Sequence, residues 1–304
     1  MPFADIYRRQ AMLLIRLLPV IAEEKCFALK GGTAINLFER NMPRLSVDID
    51  LTYVPVEPHA ESLAAIDAAM GRTAVRIKRG IPEATISEGR NDEGKRTHLV
   101  ARAEGVQCEI EVTPVLRGCV FNPELKSVAE AVEETFGFAE MQVVSFADLY
   151  AAKIVAALDR QHPRDFFDAR ELLADEGIDD TLRGAFIVYL LSHSRPMHEV
   201  LLAKRKDIAV EFNRGFVGMT QEPVTIEELV AAREALIADI VGNMPAVHRQ
   251  FLVSFERGEP DWTKLGLPAA AALPAVKWRQ RNLDKLSPEK RAALVANLEK
   301  VLAQ

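Results

Sequence analysis

Strand-like patterning is confined to the first part of this 304-residue chain, and that confinement limits the folds open to it. "CFALK" (26–30), "SVDIDLTYV" (46–54), "THLVARA" (97–103) and "VQCEIEVTPV" (106–115) read as strands, with a helix near 60–70 between them. From Ser145 onward strand signals nearly vanish. "SFADLYAAKIVAALDR" opens on Ser145 with Asp148 three residues later, a capping-box spacing, and "VTIEELVAAREALIADIV" repeats the device with Thr225 and Glu228. "SPEKRAALVANLEKVL" places Ser287 at an N-cap and Pro288 at the first helical position. Strands followed by helices predict an α+β fold in two lobes, 1–140 and 141–304. Residues 258–280, with three prolines and two tryptophans, read as an ordered strap on the helices.

A net charge of −6 argues against a general attraction to nucleic acid or anionic membrane. One basic stretch stands out: residues 71–102 carry eight basic side chains against four acidic ones. Cys26, Cys108 and Cys119 show no C-x-x-C spacing, so no disulfide framework or zinc site is expected and a reducing cytoplasm fits. The N-terminal apolar positions are interrupted by Arg16, Glu23 and Glu24, which reads as an amphipathic helix, not a signal peptide or membrane span.

Two aspartates sit inside the second strand pattern. Alternation puts Ser46, Asp48, Asp50 and Thr52 on one face and Val47, Ile49, Leu51 and Tyr53 on the other. Like charges roughly 6–7 Å apart on a strand need an offset, and a divalent cation supplies one. Magnesium, or manganese in its place, takes hard oxygen ligands, and carboxylates that bridge two such ions serve phosphoryl displacement. D-x-D alone is common by chance. Gly31 and Gly32 make it more specific: they follow an apolar strand and precede "TAINLFER", a helix of about two turns whose start suits a phosphate.

The run "GGTAINLF" followed by "RLSVDIDL" resembles the nucleotidyltransferase toxins of the AbiEii/AbiGii type, whose catalytic lobe is similar to the polymerase-beta nucleotidyltransferase fold. The resemblance covers most of the chain, including the late "FLVSFERGEPDWTKLGL". It implies a mixed-sheet catalytic lobe followed by a mainly helical one that completes the active site. Gly31, Gly32 and Thr33 would hold the triphosphate, with Arg44 and Ser46 in the same nucleotide-binding motif, and Asp48 and Asp50 would bind magnesium. A third carboxylate is expected from "VQCEIEVTPVLRG", where Glu109 and Glu111 share a face; either can serve, and Glu111 is preferred.

A second block, "KIVAALDRQHPRDFFDARELL", resembles the family's K-x6-R followed by R-D-x-x-D. It implies that Lys153 and Arg160 contact nucleotide phosphates and that Asp165 or Asp168 acts as a base or orients those cations. Lys153→Ala is then expected to reduce activity greatly and leave the fold intact. The implied partners are an NTP, an RNA acceptor (a tRNA 3′ end) and a cognate antitoxin. Small-molecule adenylylation, of an aminoglycoside for example, a D-x-D glycosyltransferase and a non-catalytic binding module are the rivals. The scattered histidines and the lack of G-x-S-x-G and G-x-x-x-x-G-K-[ST] set aside zinc, serine-hydrolase and P-loop chemistry. "LLAKRKD" and "VKWRQR" are basic clusters, the second with an aromatic able to stack on a base.

Overall fold

A computed structural model describes residues 3–303, the side chain of Val115 excepted. The chain divides into two compact units, Met1–Leu149 with Phe216–Pro223, and Tyr150–Gly215 with Val224–Gln304. The architecture is α+β, as the order of strand and helix signals predicts.

The first unit runs α1 (Asp5–Ile21), β1 (Phe27–Lys30), α2 (Gly31–Ala34) continuing into a π-helical turn (Ile35–Glu39), β2 (Asp48–Tyr53), α3 (His59–Gly80), β3 (Thr85–Arg90), β4 (Arg96–Ala103), β5 (Val106–Arg117), β6 (Glu124–Ser127), α4 (Glu130–Phe136) and β7 (Glu140–Val143). α5 (Phe146–Asp159) begins here and carries the chain across the division. The strands form a seven-stranded mixed sheet in the order β3-β4-β5-β2-β1-β7-β6. β2 pairs parallel with β5 and antiparallel with β1, and β1 pairs parallel with β7.

Alternation along β5 shows how the sheet is held: Cys108, Ile110 and Val112 are buried, while Glu109 and Glu111 are exposed. α1 and α3 pack against β4 and β5, with Leu14, Leu17, Leu18 and Ile21 of α1 buried at helical spacing. One sheet face is thereby covered, and the other bears the carboxylates.

Phe216–Pro223 belongs to this unit. Leu45 N–H donates to the Met219 carbonyl at 2.8 Å, Gln221 N–H donates to the Pro43 carbonyl at 2.9 Å, and Arg44 forms an antiparallel bridge with Thr220. The stretch ahead of the D-x-D strand is thus pinned by residues far along the chain.

The basic stretch 71–102 is mostly engaged within the fold. Arg72 and Arg76 both hold the buried Glu24, Arg96 holds Asp67 at 3.0 Å, and Arg102 donates to Ser87 at 2.9 Å. Five of the eight basic residues, Arg72, Lys78, Arg79, Arg90 and Arg102, are nonetheless exposed.

The second unit is helical. The remainder of α5 is followed by α6 (Pro163–Asp175), α7 (Asp180–Leu191), α8 (Met197–Leu202), α9 (Ala209–Gly215), α10 (Ile226–Ile237), α11 (Ala246–Arg257), α12 (Pro274–Asp284) and α13 (Pro288–Leu302). Thr225 and Glu228 form the reciprocal capping box of α10, and Ser287 caps α13 with Pro288 at its first position. The expected strap holds two 3-10 turns, Trp262–Lys264 and Pro268–Ala272, and its last part enters α12. Among the described residues no helix is long and apolar enough to cross a membrane.

Candidate active site

β2 and β5 lie side by side in parallel register, so Asp48 faces Glu109 and Asp50 faces Glu111. On the other side of β2, Lys30 of β1 pairs with Asp50, and beyond β5 His98 of β4 pairs with Glu111. Residues paired across strands share a face. Lys30, Asp50, Glu111 and His98 therefore form one row, with Asp48 and Glu109 in the next.

The glycines are placed by this row. Gly31 has φ of +74°, a conformation L side chains disfavour, and a Cβ there would collide with the Asp50 Oδ2 atom. The helical turn begins at Gly31 itself, two residues earlier than the expected start at Thr33, and passes into the π-helical turn, a distortion that recurs at functional sites. At Gly32 an added Cβ would lie 2.9 Å from Arg44 Nη2 and 3.1 Å from Ser46 Oγ. The glycine pair is thus what allows Asp50, Arg44 and Ser46 to close around the turn.

The remaining residues of the first motif are turned inward. Thr33 is buried, and its hydroxyl donates to the Asp48 carbonyl at 2.5 Å. Arg44 is 1% exposed and donates from Nη1 to the Leu45 carbonyl at 2.9 Å. Ser46 is buried just ahead of β2. Thr33 and Arg44 thereby brace the backbone that leads into the aspartate strand.

Of the two candidate glutamates, Glu109 has its Oε2 3.4 Å from His98 Nε2. Glu111 has no side-chain partner among the described residues and is directly in register with Asp50. Lys30 lies in the same row, and its ammonium donates to Thr113 Oγ1 at 3.0 Å. The signal for it was present in the sequence: it ends an apolar strand and touches the glycine pair.

Among the described residues no group of three His, Cys, Asp or Glu side chains is placed to hold a metal ion. Magnesium commonly takes one or two protein carboxylates and completes its shell with water and substrate phosphate. Asp48 and Asp50, hard oxygen donors on one strand face, fit that kind of site.

The second block forms its own cluster within the second unit. The Lys153 ammonium lies 2.9 Å from Asp165 Oδ1 and 3.0 Å from Asp168 Oδ2. Arg160 grips Asp165 through Nε at 2.6 Å and Nη2 at 2.8 Å. Burial alone would push the Asp165 carboxyl up, but Lys153 and the Arg160 fork outweigh it and hold it well below the usual carboxylate range. Asp165, Asp168 and Lys153 are buried, whereas the Arg160 side chain is 59% exposed. A buried carboxylate already bonded to two cations is suited to orienting them and not to accepting a proton. α6 starts beside this cluster because His162 caps it, Nδ1 accepting from Arg164 N–H at 3.1 Å.

With this geometry in view, the comparisons with known proteins give a class. A family model described as "Nucleotidyl transferase AbiEii toxin, Type IV TA system" matches residues 13–282. The chain belongs to this family, and it is a nucleotidyltransferase toxin of a type IV toxin–antitoxin system. Membership implies an NTP substrate and a cognate antitoxin. It also sets aside the glycosyltransferase reading. The structure of MenT4, a nucleotidyltransferase toxin from Mycobacterium tuberculosis H37Rv, is similar with a TM-score of 0.54 and 18% identity, over 99% of this chain and 94% of that one. At that identity the likeness concerns the fold. No curated protein sequence matches the chain.

Proposed function

We propose that the chain transfers a nucleoside monophosphate from an NTP to a hydroxyl of RNA, a tRNA 3′ end above all, in a magnesium-dependent reaction. The alignment of Asp48 and Asp50 beside Glu111, closed by Gly31, carries this reading. A toxin that extends a tRNA end would stop growth by blocking aminoacylation, which supports RNA as acceptor.

The acceptor oxygen attacks the α-phosphorus in line. A new P–O bond forms, the bond to the β-phosphate oxygen breaks, the hydroxyl proton passes to solvent and pyrophosphate leaves. Asp48 and Asp50 would hold magnesium or manganese, which when bound neutralises triphosphate charge and polarises the reacting oxygens. Glu111, in register with Asp50 and without a side-chain partner among the described residues, is preferred over Glu109 as a third carboxylate able to join them when the metal is bound. Gly31 and Gly32 keep side chains away from the turn, so the triphosphate can approach the backbone. Thr33 and Arg44 hold that backbone in place, Ser46 lies buried beside Gly32, and Lys30 offsets the negative row beside Asp50. Lys153, Asp165 and Asp168 fix Arg160, the solvent-facing cation of their cluster.

The test uses the purified protein with magnesium, each α-labelled NTP in turn and total tRNA, beside Asp48→Ala and an arm with an aminoglycoside in place of RNA. Label is expected in RNA with the wild type alone. Equal label with Asp48→Ala, or label only in the aminoglycoside arm, overturns the proposal.

A further inference from the structure

The sequence of α12, "PAVKWRQRNLD", sorts by helical geometry into two faces at 100° per residue. Ala275, Val276, Arg279 and Leu283 fall on one side and are buried. Lys277, Trp278 and Arg281 fall on the other with Lys285 just beyond, and all four are exposed.

Two observations make this face unusual. Of the chain's two tryptophans, Trp262 is locked against Phe251 and Phe255 at ring-centroid distances of 5.0 and 6.3 Å. Trp278 is 53% exposed and has no ring contact among the described residues. The three cations around it likewise have no ion-pair partner among the described residues. Asp284, the acid on this side of the helix, stands 3.7 Å from Arg291, which offsets its charge.

The other basic cluster of this unit, "LLAKRKD", is arranged differently. Its Arg205 is 2.7 Å from Glu234, and its Lys206 donates to the Asp159 carbonyl at 2.8 Å. Those charges are largely satisfied within the fold, whereas those of α12 are not. An apolar protein surface would leave Lys277, Arg281 and Lys285 without counter-charges. A polyanion with flat rings satisfies all four side chains.

We propose that the outer face of α12 is a binding surface for single-stranded RNA, with Trp278 stacking on a base and Lys277, Arg281 and Lys285, one helical turn apart, following the phosphates. It deepens the reading of RNA as the acceptor by giving that RNA a place to dock on the second unit.

The full-length protein is titrated with a short single-stranded RNA of mixed sequence while tryptophan fluorescence is followed. Binding is expected to quench the wild-type signal. Trp278→Ala should lose the quench and bind about 5- to 150-fold more weakly, while Trp278→Phe keeps most of the affinity. Each of Lys277→Ala, Arg281→Ala and Lys285→Ala should flatten the slope of log affinity against log salt by about 0.7. Unchanged affinity in Trp278→Ala, with a thermal melt matching the wild type, overturns the proposal, as does a slope unmoved by all three cation variants. The acceptor reading is judged separately by label transfer. RNA bound through Trp278 but never labelled supports this surface and removes RNA as acceptor. RNA labelled at full rate by Trp278→Ala, with affinity unaltered, overturns the surface and leaves the acceptor standing.

Discussion

Lys153 shows how a residue can be found by its spacing and still be misjudged in its consequences. Its position seven residues before Arg160 marks it in the sequence, and the expectation from the resemblance is a removable phosphate contact. In the fold its ammonium joins two buried carboxylates. Taking one partner out of a buried ionic set leaves uncompensated charge, at a cost of about 3–5 kcal/mol. Lys153→Ala should therefore lower stability by that order as well as abolish transfer, measured by urea denaturation beside the label assay; an unchanged urea midpoint would return Lys153 to the role of a simple ligand contact. The aspartates of the D-x-D strand were legible because alternation fixes their face. The inward roles of Thr33 and Arg44 were not, because a polar residue near a phosphate motif looks the same in sequence whether it faces ligand or backbone.

At the scale of elements, legibility follows burial. β1, β2, β4 and β5 announce themselves by apolar runs that end up buried in the sheet. β3 and β6 are the two edges of the sheet, and their sequences "TISEGR" and "ELKS" carry the polar character that edges favour. β7 is interior but only four residues long, too short to show a period. Helix caps were the most readable feature, since Thr225, Glu228 and Ser287 act locally. The cap of α6 was missed because histidine is an uncommon N-cap. It has a pH signature: burial, with some help from Arg164, lowers His162 from 6.5 to about 4. As pH falls, the unfolded chain therefore takes up this proton before the folded chain does, and stability is lost between about 6.5 and about 4. Protonation also removes the Nδ1 acceptor from the cap. His162→Asn, which keeps an N-cap acceptor without titrating, should show a shallower fall of Tm across that window; identical slopes would separate the cap from the acid sensitivity.

For the whole molecule, sequence order and spatial grouping part company at Phe216–Pro223. This segment lies between helices of the second unit and is packed with the first, where it pairs with Pro43, Arg44 and Leu45. Nothing in "FVGMTQEP" signals this, because a short segment with one glycine and one proline reads as an ordinary loop. A fragment of residues 1–149 should accordingly unfold with a broad transition in urea, and a synthetic peptide of residues 216–223 should sharpen it. A fragment as cooperative without the peptide as with it would show the bridge to be dispensable.

The same bridge bears on the order in which a ribosome delivers this toxin. The glycine turn and both aspartates are made early, yet the backbone bridge at Arg44, whose side chain lies against Gly32, waits for Thr220 to emerge. A nascent chain that has not yet reached residue 220 carries the glycine turn and the D-x-D strand without the bridge that pins Arg44 beside them.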